Sequence, residues 1–305
     1  MTYEERLAAF ANHIEAGGKV EAEDWMPDDY RRGVLKFVEM HANSEIMGAL
    51  PERECLPKAP TLRRKMSLAA KIQDEVGHAQ LLYRVAEDLG KRRDAMYEDL
   101  VTGKSKFHNV FHYPVAHWGD VALIGWLIDG AALVTQAALR DSSYAPYARV
   151  LKRICAEEQL HLRHGEDITL ELASGTDHQR WMFQDALDRW WLAIIHFFGP
   201  KSNVEKDLLL RWKVKTRTNE DLRAEFLDRY VPKILELGFS FPAPVPVEEE
   251  GRWIVRDHDI DWEPLESIKR NRGPETERRL EWRRRMYENH RWVREAMSEP
   301  AVHAA

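Results

Sequence analysis

The chain has 305 residues, 44% hydrophobic and 31% charged, with a formal net charge of −6; that is enough for one large core, alone or with an appendage. The acidic balance argues against nucleic acid as the main partner. No run approaches the roughly 20 uninterrupted apolar residues of a membrane span, and the acidic start MTYEERLAAF lacks a secretory pattern, so a cytoplasmic, non-membrane protein is expected.

Helical periodicity dominates up to about residue 200. The first strong helix follows Pro27, with Asp28 and Asp29 in its first turn, where they suit the helix dipole. Val34, Val38, His41, Glu45 and Gly48 share its inward face, and Pro51 is read as lying just past its end. A second helix begins near Pro60-Thr61 and runs to a Gly90 cap, with Leu68, Ile72, Glu75, Ala79, Leu82 and Ala86 inward and His78 beside Glu75. The connection from Lys91 to His117 is basic and aromatic without a clean period, and long enough to carry local structure. A third helix spans about 118–140, with Ala122, Gly125, Trp126, Asp129, Leu133 and Gln136 on one face.

A fourth starts near Ala145-Pro146, its stripe reading Leu151, Ile154, Glu158, His161, Gly165 and Ile168. The fifth, about 178–198, is aromatic enough to be packed on both sides. Beyond Gly199-Pro200 a shorter helix, 219–237, closes at Gly238. A Pro-rich stretch then reads as an extended wrap, and a basic helix, about 274–297, ends the pattern. Residues 268–285 hold eight Lys/Arg against three Glu, a charge excess suited to phosphate groups, to an acidic surface, or simply to a solvated helix face.

The chemistry lies in a spacing that occurs twice. Glu45 precedes Glu75 by 30 residues, and Glu75-Val-Gly-His78 is an ExxH; Asp129 precedes Glu158 by 29, and Glu158-Gln-Leu-His161 is another. Positions i and i+3 project from one helix face, so each ExxH offers a carboxylate and an imidazole together. Two such hairpins supply four carboxylates and two histidines to a bundle core, the di-iron arrangement of ferritin-like folds. Four carboxylates on apolar stripes are costly without compensation, and two Fe(II) ions balance them completely.

One ExxH arises by chance about once in such a chain, but a pair, each preceded by an inward carboxylate at nearly equal distance, does not. Asp74 and Glu157, each next to an ExxH glutamate, are placed to orient the imidazoles by hydrogen bonds; solvated-face residues would look the same. No HExxH, GxSxG or glycine-rich phosphate loop is present, which argues against zinc proteolysis, serine hydrolysis and a nucleotide fold. Cys55 and Cys155, far apart and without a CxxC, suggest neither a disulfide framework nor a zinc ribbon.

The expected fold is therefore all-α: a ferritin-like four-helix bundle with additional helices over residues 1–200, and a helical and extended C-terminal wrap over 201–305.

The strings WMP (25–27), HANSEIMGALPE (41–52), KIQDEVGHAQLLY (71–83), FHYPVAHWGDVALIGWLIDGAAL (111–133), SYAPYARVLKRICAEEQLH (143–161) and WKVKTRTNEDLR (212–223) closely resemble the catalytic A subunits of the bacterial ring-1,2-phenylacetyl-CoA epoxidases, over nearly the whole chain. Local departures are Gln73-Asp-Glu-Val-Gly-His-Ala79 for the family's QDEAGHG, and Thr216-Arg217-Thr218-Asn219 for a basic-Asn-Ser-Asn run. The resemblance implies two iron ions on Glu45, Glu75, His78, Asp129, Glu158 and His161, the set already reached from spacing. It implies insertion of one oxygen atom of O2 across the ring of phenylacetyl-CoA, with electrons from NADPH through a separate flavin and iron-sulfur reductase. The implied partners are a related C subunit without the metal site and smaller B and D components. The CoA moiety would then lie along Lys36, Lys71, Lys106, Lys215 and Asn219. Two alternatives use the same motif: a ferritin-like iron-storage or ferroxidase protein, whose subunits are much shorter, and benzoyl-CoA epoxidase, whose catalytic chain is considerably longer.

Overall fold

Short side chains that accept backbone N–H groups set several helix starts. In the computed structural model, which describes residues 1–298, Thr2 and Glu5 cap each other's backbone at the start of α1 (Tyr3–Glu15). The sequence reading begins its helices only at Pro27. α1 buries just Phe10 and Ile14, too sparse a stripe for periodicity to register. α2 (Asp28–Cys55) starts straight after Pro27 and continues through Pro51, contrary to expectation, at the cost of one backbone hydrogen bond. The extra turn carries Glu52, which is buried. Thr61 accepts from the Arg64 N–H to open α3 (Leu62–Glu87), and Gly90, at φ +104°, turns the chain afterwards.

The long connection does hold structure: α4 (Arg93–Val101) and a 3₁₀ turn at Asn109–His112. Next, α5 (Trp118–Leu123), a π turn (Ile124–Ile128) and α6 (Asp129–Leu139) form one rod. The wider turn inserts a residue into the helical phase just before Asp129. Trp126, assigned to the same face as Asp129, consequently packs against Phe183 and Tyr230. The rod, Trp118–Leu139, is long and apolar enough to cross a membrane, which the sequence reading did not recognise. Its apolarity is that of a central helix, since 78% of its most apolar window is buried inside the fold.

α7 (Ala145–Ala173) has Pro146 in its first turn. It crosses the rod where Gly165 meets Gly125, and a Cβ on Gly165 would collide with the Gly125 carbonyl. With α2 and α3 these elements make the four-helix bundle. α8 (Asp177–Phe197) packs on α5 and α7, burying Phe183, Trp190 and Trp191 while Trp181 stays half exposed.

After Gly199, itself at φ +77°, come α9 (Leu208–Arg211) and α10 (Asn219–Glu236), which lies on α6 and is followed by Gly238 at φ +76°. The Pro-rich stretch is extended but includes a small antiparallel hairpin, β1 (Val247–Glu249) and β2 (Arg252–Ile254). Its two loop residues, Glu250 and Gly251, both have positive φ, as a tight primed turn requires. α11 (Glu263–Lys269), α12 (Thr276–Asn289) and α13 (Arg291–Ser298) follow. The single basic helix expected at 274–297 is thus interrupted at His290. Nor is its charge all outward: Arg279 and Arg283 are buried.

Candidate metal centre

Four elements bring the expected residues together. Glu45 comes from α2, Glu75 and His78 from α3, Asp129 from α6, and Glu158 and His161 from α7; all six are buried. One oxygen or nitrogen from each of Glu45, Glu75, His78 and Glu158 falls within 4.8 Å of the others, and the same holds for Asp129, Glu158 and His161. Glu158 belongs to both groups. The imidazole Nδ1 atoms point inward: His78 Nδ1 lies 3.3 Å from Glu158 and 3.5 Å from Glu45, and His161 Nδ1 lies 3.2 Å from Glu158 and 3.6 Å from Glu75. Their Nε2 atoms are held from outside by crossed hydrogen bonds. Glu157 takes His78 at 2.9 Å and Asp74 takes His161 at 3.1 Å, so each acidic neighbour serves the other motif's histidine.

Electrostatics exposes the strain of gathering these groups. Burial, reinforced by Glu158 and Glu45, pushes the Glu75 carboxyl well up. Burial likewise raises Asp129 to about 7 against the pull of Lys71. For His78, burial opposes the charge, but the nearby Glu158 and Glu45 carboxylates outweigh it and raise the imidazole to about 10. Burial alone would raise Glu158, but His161 and His78 drive it down to about 2.

The donor set suits divalent cations: carboxylates and imidazoles in two groups sharing a carboxylate. His78 Nδ1 is buried without a hydrogen-bond partner, an orphan that metal ligation would satisfy. The cluster can therefore hold a metal.

Lys71 does not sit in a CoA groove, where the resemblance put it. It lies one turn before Glu75 on the inward face, 4% exposed, with Nζ 2.5 Å from Asp129 and paired with Glu52. Among these carboxylates it is a compensating charge. Glu52 groups with Glu75 and Asp129, and its place beyond Pro51, the expected helix end, hides it in the sequence. The sequence reading also gives no role to His41, which bridges Glu45 (2.9 Å) and the buried Tyr147 hydroxyl (2.8 Å), although His41 to Glu45 is an i, i+4 pair on the inward stripe.

A cavity of about 300 Å³ runs from Glu45, Glu75, Asp129 and Glu158 between Phe37, Phe111, Ile128 and Phe198 to Lys215, Thr216, Arg217 and Asn219. α6 lines it lengthwise through Asp129, Ala132, Thr135, Gln136 and Leu139. Lys215 bonds Asp207 at 2.9 Å and Asn219 at 3.3 Å. Lys36 is exposed and Lys106 binds Asn271 at 3.0 Å; neither lines the cavity. Cys55 and Cys155 are free and buried.

A family model described as "Phenylacetic acid catabolic protein" matches residues 3–292. A curated relative, the A subunit of the 1,2-phenylacetyl-CoA epoxidase of Escherichia coli (strain K12), is 41% identical over 298 residues, covering 97% of this chain and 96% of its own length.

Proposed function

The chain belongs to the phenylacetic acid catabolic protein family, and from that premise we propose that it is the catalytic subunit of a multicomponent monooxygenase that epoxidises the ring of phenylacetyl-CoA. The observation that carries the reading is one cavity joining a buried carboxylate and histidine cluster to a basic, amide-bearing mouth through an aromatic and aliphatic passage. Such a channel suits a ligand with an aryl end, a narrow thioester arm and an anionic tail.

In this reading Glu45, Glu75, His78, Asp129, Glu158 and His161 hold two iron ions, which when bound supply reduction of O2 and transfer of one oxygen atom to the ring. The chain's residues do the rest. Asp74 and Glu157 hold the histidine Nε2 protons, which keeps each Nδ1 aimed inward. Phe111, Ile128 and Phe198 exclude water around the ring, and Lys215 and Asn219 receive the polar CoA end. The relative is named as one component of a larger enzyme. We extend that to a C-type partner bundle, smaller B and D components, and a flavin and iron-sulfur reductase supplying NADPH electrons, all in the cytoplasm. The test is O2 consumption with phenylacetyl-CoA by the iron-loaded chain, alone and with those components. Uptake that does not depend on phenylacetyl-CoA, with every component present, would sink the assignment.

A further inference from the structure

The C-terminal basic segment has no part in the function above, yet it contains an anomaly. Arg279 is fully buried and Arg283 is 6% exposed, and neither forms an ion pair with a carboxylate among the described residues. A buried guanidinium without a counter-ion is costly, and burial lowers Arg279 to about 10. Their partners are backbone carbonyls. Arg279 donates to Phe111 and, at 2.5 Å, to Tyr113; Arg283 donates to Ile46 on α2. The Glu275 N–H takes the carbonyl between them, His112, at 2.9 Å, and the Thr276 hydroxyl bonds the His112 ring at 2.6 Å. The carbonyls of residues 111, 112 and 113 are thus all held from α12 and the residue before it.

The segment so held carries part of the cavity wall. The Phe111 ring lines the cavity opposite Gly48, where an added Cβ would come 2.9 Å from the ring. Phe111 also packs against both hydrophobic clusters of the fold. Arg283 anchors the same stretch of α2, two residues before Gly48. The rigid planar fork of a guanidinium is suited to hold two carbonyls at once, as a lysine is not.

We propose that α12 is a strap that sets the acyl-binding wall: Arg279 and Arg283 fix the gap between Phe111 and α2, and thereby the preference for an aryl acyl group. They are positioning residues, since neither lines the cavity. The inference rests on the acyl-CoA reading, so its test has one arm that does not.

Arg279→Met and Arg279→Lys in the full chain are compared with the unaltered protein by hydrogen exchange, thermal melting, and calorimetric titration with phenylacetyl-CoA, acetyl-CoA and coenzyme A. The expected result is faster exchange confined to residues 107–115, a melt lowered by a few degrees through the carbonyls left unpaired, and loss of about tenfold in phenylacetyl-CoA affinity, with coenzyme A binding unaltered. Lysine should not rescue. Unchanged exchange at 107–115 overturns the strap whatever the substrate is. Faster exchange with the aryl preference intact overturns its role in selectivity. An unaltered protein that does not prefer phenylacetyl-CoA defeats the functional reading, and exchange alone then decides the strap. Should Arg279→Met not fold, Gly48→Ala presses on the same ring from the opposite side with both arginines in place. It should lose the same preference with normal exchange, and retention of the preference overturns the proposal.

Discussion

At the scale of residues, two carboxylates stand out because each touches more than one ligand group. Glu75 and Glu158 lie between the two inward imidazoles and the flanking acids. Replacing either with alanine should leave at most one weakly held ion, so iron per chain should fall from about two, and the coupled Mössbauer signature should vanish. Normal dinuclear iron in Glu158→Ala would remove it from the centre. The crossed hydrogen bonds from Asp74 and Glu157 predict a milder effect: Asp74→Asn or Glu157→Gln should weaken metal binding roughly 10- to 100-fold. At the cavity mouth, Lys215 is half-buried and already paired with Asp207. Lys215→Ala should cost about 1.5–3 kcal/mol of CoA binding, an effect that shrinks at high salt, with iron content unchanged. Iron lost together with affinity would take Lys215 out of the CoA site.

Elements depend on how closely they approach. Gly165 and Gly125 bring α7 against the π turn that ends just before Asp129, leaving no room for a side chain. Gly165→Ala should therefore push the two apart, costing about 1–3 kcal/mol and lowering the melting temperature by several degrees. An unchanged melt would mean the rod adjusts freely. Sequence alone exposes much of this arrangement. Glu45, Glu75, Asp129 and Glu158 sit at helical spacing among apolar neighbours, so periodicity places them on one face and burial cost marks them as special. What it does not expose depends on local exceptions or on tertiary contact. A helix that runs through Pro51 hides Glu52, and a π turn changes the phase at Trp126. Lys71 looks like any surface lysine until the carboxylates of three other turns converge on it. Arg279 and Arg283 read as a solvated basic face because their partners are backbone carbonyls, which carry no sequence signature.

The whole molecule carries the cost of this centre in its stability. Without metal, Glu45, Glu52, Glu75, Asp129 and Glu158 share the interior with a single ammonium, Lys71, so the fold retains protons to balance them. His78 is raised from 6.5 to about 10, and Asp129 from 3.8 to about 7. A raised pKa stabilises the fold fully below the unfolded value and ceases to as pH climbs through the folded one. His78's contribution therefore fades between about 6.5 and 10, and Asp129's between about 3.8 and 7. The metal-free protein should thus become less stable as pH is raised from 6.5 to 8.5. Metal acts in the opposite sense, because ligation needs the deprotonated forms, and raising pH removes the competing protons. At a hundredfold excess over the dissociation constant a bound ion adds about 2.7 kcal/mol, or roughly 5 °C in a chain of this size. Melts of chelator-treated and Fe(II)-loaded protein under anaerobic conditions should consequently diverge, with a gap that is wider at pH 8.5 than at pH 6.5. A gap that narrows with rising pH would show that His78 and Asp129 do not surrender protons to a metal, and coincident melts at both values would leave the cluster as a buried proton store without a bound ion.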